Sequence, residues 1–128
     1  LFTAPEKSTE IDDGFLTASE VAQLKMNAEW VLLSACNTAA GNSPNAEGLS
    51  GLAKAFFYAG SKSLLVSHWT VHSIATTKLI TGMFDKIKKN DKIGKAQALR
   101  QSMLELISTT EYSHPAYWAP FSIIGTGD

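Results

Sequence analysis

Val31-Leu32-Leu33-Ser34-Ala35-Cys36, followed by Asn37-Thr38-Ala39-Ala40-Gly41, is the stretch whose reading decides the fold. Three apolar residues after Trp30 give way to small and polar ones, which predicts a strand buried on both faces that opens into a loop at its carboxyl end. The only cysteine of the chain stands at that opening. Ligands of open α/β sheets gather at the carboxyl ends of parallel strands, so a thiol there is a candidate nucleophile. A lone cysteine is also a small buried hydrophobe, and the residues themselves leave both readings open. The turn-rich segment Asn42 to Gly48 then leads into a helical pattern from Leu49. A helix amino end close to the thiol favours thiolate, the form that attacks carbonyl carbon.

Outward from this stretch the pattern alternates helix and strand. Leu49, Leu52, Ala53, Phe56 and Phe57 mark one helical face, and Gly60 suits the left-handed residue that ends a helix. Close packing of that helix accounts for the Gly48 and Gly51 pair better than a phosphate loop does, because the Gly-x-Gly-x-x-Gly spacing is missing. Ser63 to Ser67 reads as a second buried strand, and strand, helix, strand is the βαβ unit of a parallel sheet. The loops after the two strands are therefore expected on one edge of the sheet. Leu79, Ile80, Met83, Phe84 and Ile87 give a helix within Ser73 to Lys89, with Lys86, Lys88 and Lys89 at its negative end. Ile93, Ala96, Arg100, Met103, Leu104 and Ile107 predict the inward stripe of a further helix from about Ile93 to Ser108. Phe121 to Ile124 reads as a last strand that Pro120 introduces.

Before the opening stretch, Leu1 to Ala4 reads as the end of a strand and Pro5 to Gly14 as an exposed, hairpin-like excursion. Thr17 and Glu20 have capping-box spacing, predicting a short helix with Val21, Leu24 and Ala28 on one face, ending near Met26-Asn27.

Composition bounds the function classes. The chain has 128 residues, enough for one core, and carries 11 basic against 12 acidic residues. That balance leaves no electrostatic footprint for nucleic acid or an anionic membrane. No apolar run reaches membrane-spanning length and no signal-peptide pattern opens the chain; the single cysteine fits a reducing, cytoplasmic compartment.

Four motifs together carry a resemblance: Leu32-Leu33-Ser34-Ala35-Cys36-Asn37-Thr38-Ala39, the run Glu47 to Gly60, Val66-Ser67-His68-Trp69-Thr70-Val71, and His114-Pro115-Ala116-Tyr117-Trp118-Ala119-Pro120-Phe121. In this order they resemble the C-terminal part of a CHAT domain, a caspase-like, separase-related family often joined to tetratricopeptide repeats. The resemblance covers nearly the whole chain, 1–128. It implies a three-layer α/β/α caspase-like sandwich with a mostly parallel sheet, lacking the N-terminal strands.

It also implies a cysteine endopeptidase in which a histidine and a cysteine form a dyad and backbone N–H groups hold the oxyanion. The nucleophile carried over is Cys36, and Ser67, His68, Trp69 and Thr70 fall in the loop that lines the substrate pocket of relatives. No cofactor or metal is implied. The implied partners are a protein or peptide substrate, the N-terminal part of the same domain, and tetratricopeptide repeats.

The chain departs from the family pattern in two places. The family's His-Gly motif lies upstream of Leu1, and the three histidines here all follow Cys36, so the chain alone is expected to be inactive toward peptides. A sheet edge without its neighbouring strand is expected to self-associate or pair with the missing half. Acidic residues that follow the tryptophan in some relatives are replaced by Thr70, His72 and Ser73, which removes the basis for a basic preference in the substrate and leaves a neutral or apolar one at least as well supported. The alternative is a non-catalytic caspase-like interaction domain.

Other residues have simpler readings. His68 and His72 are four apart, but strand running into loop does not give the helical geometry of a zinc pair. His68 lines the pocket or packs, with a substitute base as the sharper alternative. His114 is a turn residue, Trp118 is core, and Trp69 either walls a subsite or anchors the strand end. The lysines from Lys86 to Lys95 form a solvated helix end.

Overall fold

A computed structural model describes residues 16–33 and 48–127, with side chains described from 51 onward in the second segment. Its elements in chain order are α1 (Ala18–Gln23), β1 (Val31–Leu33), α2 (Gly48–Tyr58), β2 (Ser63–Ser67), α3 (Ser73–Lys89), α4 (Lys95–Ile107), a 3₁₀ turn (Pro115–Tyr117) and β3 (Phe121–Gly125). No helix among the described residues is long and apolar enough to cross a membrane. The strand reading at Leu1 to Ala4 and the excursion at Pro5 to Gly14 lie outside the described residues.

The fold is of the α/β class, built on a three-stranded sheet in the order β1-β2-β3. β1 and β2 are parallel, with Val31 opposite Leu64 and Leu33 opposite Val66. α2 connects them, as the βαβ reading predicted. The last strand, however, runs antiparallel to β2, with Ser67 opposite Phe121 and Ser63 opposite Gly125. The described sheet is therefore mixed, one parallel and one antiparallel pair, not mostly parallel.

The two-residue period of the strands sends alternate side chains into two cores. Leu65, Phe121, Leu32 and Ile123 face α3 and α4, where Ala75, Leu79, Met83, Ala98, Leu99 and Leu106 meet them. Leu64, Val66, Val31, Leu33 and Ile124 face the other way, against Val21 of α1 and Ala53, Ala55 and Phe56 of α2. Helices thus cover both faces, giving the three layers. All five residues of β2 are buried, whereas Val31, Leu32 and Leu33 are half-buried. The central strand is β2, and the expectation that the opening stretch is sealed on both faces is corrected for its described part.

Local chemistry explains the element ends. Thr17 caps α1 as its spacing predicted: its Oγ1 accepts from the Glu20 N–H at 3.3 Å, and its own N–H donates to Glu20 Oε2 at 2.7 Å. α1 stops at Gln23, three residues short of the reading, and Leu24 is an exposed, extended cap residue. The chain leaves the helix there because Met26 N–H donates to Ala59 O and Ala28 bridges Ser61, aligning it with β1. Gly60 has φ 102° beyond the end of α2, and a Cβ there would collide with the Met26 carbonyl. Only glycine fits that position. At Gly51 a Cβ would meet nothing within 4 Å among the described residues.

α4 departs most from its reading. Its buried residues are Ala98, Leu99, Ser102 and Leu106, with Met103 partly packed. Ala96, Arg100, Leu104 and Ile107, taken as the inward stripe, are exposed. The helix is apolar on two arcs, and periodicity alone cannot tell which of them meets the sheet.

Candidate functional site

Because β1 and β2 are parallel, their carboxyl ends lie side by side, and the antiparallel β3 begins at that same edge. The amino end of α3 and the 3₁₀ turn that feeds β3 close the group. One edge therefore gathers Ser67 to Ser73, Pro115 to Ser122, and the point from which the chain leaves β1 toward Cys36. Cys36 itself lies outside the described residues, and so do the loop at 34–47 and the surroundings of the thiol.

Ser67 ends β2 fully buried, while His68, Trp69 and Thr70 are exposed. Alternation along β2 puts the side chain of His68 on the same face as Val66, the face that α1 and α2 cover. Ser122, opposite Val66, shares that face. The two side chains meet: His68 Nε2 and Ser122 Oγ share a hydrogen bond of 2.6 Å, and the His68 N–H donates to Pro120 O at 2.9 Å. His68 is thereby held at two points of the β3 entry. Trp69 remains 43% exposed, which overturns the reading that it anchors the strand end in the core.

His72 has a different task. It caps α3, its Nδ1 accepting from the Ala75 N–H at 3.4 Å. Its ring lies 5.5 Å from Tyr117, edge-on, and 6.0 Å from Tyr112, and the two tyrosines are themselves edge-on at 5.4 Å. Tyr112 is buried and donates its hydroxyl to Glu111 Oε1 at 2.7 Å, and the Lys78 ammonium stands 4.6 Å over its ring. That hydrogen bond, with burial and the Glu111 charge behind it, holds the Tyr112 phenol above its usual pKa. His68 and His72 are thus engaged separately, and among the described residues no three His, Cys, Asp or Glu side chains gather as metal ligands.

His114 and Trp118 also lie at this edge. His114 caps the 3₁₀ turn, its Nδ1 accepting from the Ala116 N–H at 3.1 Å. Trp118 is partly buried against the α3/α4 core and donates Nε1–H to Ser113 O at 3.2 Å. Sequence reasoning missed Ser122 and Tyr112. Ser122 becomes visible only with the β2/β3 register, and Tyr112 only with the turn between α4 and β3.

A cavity of about 360 Å³ lies elsewhere, toward the amino ends of β1 and β2, lined by Glu29, Trp30, Ile87, Asp91, Ile93 and Lys95. Beside it the Lys62 ammonium donates to Glu29 Oε1 at 2.6 Å. That bond and the Lys62 charge hold the exposed Glu29 carboxyl below its usual range.

The CHAT-domain family model matches residues 1–126. The chain belongs to the CHAT-domain family. Among curated proteins this CHAT domain is similar to tetratricopeptide repeat protein 28 of mouse, 31% identical over 111 residues. The human protein of the same name matches with the same identity and span. Each match covers 87% of this chain and 4% of the relative, so the chain spans a small part of those proteins. No solved structure matches the CHAT domain significantly.

Proposed function

We propose that this CHAT domain is the cysteine-bearing half of a thiol endopeptidase, with Cys36 as nucleophile and Ser67, His68, Trp69 and Thr70 shaping the substrate subsite. The observation that supports this reading is the parallel pairing of β1 and β2. It puts Ser67 to Thr70 beside the strand end from which the chain runs, three residues after Leu33, to Cys36. A thiolate there adds to a peptide carbonyl, forming a C–S bond; the amine then leaves with a proton and water hydrolyses the thioester. Ser67, being buried, contributes its backbone to the subsite, and the exposed His68, Trp69 and Thr70 contribute side chains. The stretch from Ser67 to Ser73 carries no acid, so a neutral or apolar residue is the substrate side chain it fits.

None of the three histidines is assigned as the base of the dyad, since each makes a structural bond at the edge. The same observation favours a second reading, a caspase-like domain that binds a protein through this edge without turnover. In either case the domain works joined to tetratricopeptide repeats, in the manner of the relatives' names.

The test is labelling with an electrophilic peptide probe in the full-length gene product, followed by mapping of the modified residue. The peptidase reading expects modification at Cys36 and loss of both labelling and proteolysis in Cys36→Ala. Proteolysis that survives Cys36→Ala would remove it, and binding without labelling or turnover would favour the second reading.

A further inference from the structure

All three histidines of the chain serve the same sheet edge, and the nitrogen each one uses decides what a proton does to it. Nδ1 of His72 accepts the Ala75 N–H in the first turn of α3 at 3.4 Å, and Nδ1 of His114 accepts the Ala116 N–H in the 3₁₀ turn at 3.1 Å. Both donors belong to a helix start, where the N–H groups have no carbonyl of their own helix to reach. An imidazole accepts at Nδ1 only while that nitrogen carries no proton. In the imidazolium both nitrogens donate, so each cap becomes two donors face to face. His68 differs: its bond to Ser122 survives protonation, with Nε2–H donating and the Ser122 Oγ accepting.

Charge acts in the same direction. The first turns of α3 and of the 3₁₀ turn contain no acid, and the positive end of the α3 dipole opposes an imidazolium. The titratable groups that face His72 are Tyr117 of the 3₁₀ turn, 5.5 Å away, and Tyr112, which follows α4, 6.0 Å away. Behind Tyr112 stand Lys78 of α3, its ammonium 4.6 Å from the ring, and Glu111, which accepts the Tyr112 hydroxyl at 2.7 Å. His114 is exposed, and Glu111, three residues before it, is its nearest acid in sequence. The ion pairs among the described residues, Lys62–Glu29, Lys78–Glu111 and Lys86–Glu105, include neither histidine. The two caps also touch: Tyr117 ends the turn that His114 caps and meets the His72 ring edge-on.

We propose that His72 and His114 form an acid-released latch on this edge. Neutral, they pin the first turn of α3 and the 3₁₀ turn beside the carboxyl ends of the parallel strands. Protonated below the ordinary imidazole value of about 6.5, they free both turns while His68 still ties β2 to β3. The stability that the caps supply is present above that value and is lost as pH falls below it. The latch works in the same way whether the edge cleaves a peptide or only binds one.

The test is hydrogen–deuterium exchange of the full-length gene product at about pH 7.5 and about pH 5.5, with labelling times scaled to equal intrinsic exchange. Mass spectrometry reads the peptides spanning 72–79 and 113–119. A lost N-cap is worth about fivefold in opening, so protection of the first-turn amides in both peptides is expected to fall by about that factor at the lower pH. Asparagine supplies a cap acceptor that does not titrate, so His72→Asn should hold the first peptide at the lower pH and His114→Asn the second. Unchanged protection in the wild-type protein would overturn the latch by itself, whether or not the variants fold. The same fall in the asparagine variants would overturn it too, and so would an equal fall in peptides of α2 and β2, which marks general acid unfolding.

Discussion

At the scale of single residues, bonds made across the chain set properties that the residue types do not. Tyr112 is one of three tyrosines, yet its hydroxyl donates to Glu111 and its pKa is raised. A raised folded-state pKa means that its contribution to stability is fully present below about pH 10 and is lost as pH rises through the folded value. Titration followed at 295 nm should show a phenol ionising above the usual tyrosine range, and Glu111→Gln should bring it back toward that range. Glu29 has the opposite sign: its depressed pKa gives a contribution present above the unfolded value and lost as pH falls through the folded one. Gly60 is the most constrained backbone position described, so Gly60→Ala should destabilise by more than about 1 kcal/mol in urea unfolding. Gly60 as a helix end was legible in the sequence. The His68 bond to Ser122 was not, because 54 residues separate the partners.

Elements were mostly legible, since hydrophobic period and caps are local signals. The capping box of Thr17 and Glu20 appears as read, and Thr17→Ala should cost about 1 kcal/mol, seen as faster amide exchange in α1. α2, β2, α3 and β3 fall within a residue or two of their expected spans. The orientation of α4 was not legible, because apolar residues occupy two arcs and the choice between them depends on what lies opposite. Leu99→Ala should therefore destabilise by about 2–5 kcal/mol, whereas Leu104→Ala should change stability by less than about 1 kcal/mol. Chemical denaturation of the two variants checks the assignment directly. Equal losses would mean that both arcs are packed.

For the molecule as a whole, β2 is the shared wall of both cores. Leu65 belongs to one and Leu64 and Val66 to the other, each worth about 1.5–3 kcal/mol in burial. The two layers should therefore unfold together. Tryptophan fluorescence, which reports Trp30 and Trp118 on the α3/α4 side, and far-ultraviolet circular dichroism, which reports all helices, should trace one coincident transition. Separate midpoints would show that each helix layer holds to the sheet independently. The candidate site depends on this arrangement, because its parts come from the ends of two parallel strands, the start of an antiparallel one and the cap of α3.

The sequence by itself determined the run of helices and strands, the capped start of α1, the parallel βαβ unit and, through four ordered motifs, the family. Those features follow from local period, turn chemistry and short motifs, which a chain carries along its length. The tertiary structure decided which strand is central, which arc of α4 is buried, and that His68 is held by Ser122 while His72 caps a helix. Each of these depends on strand register and on which element packs opposite, and such pairings are set by the burial of surfaces far apart in sequence.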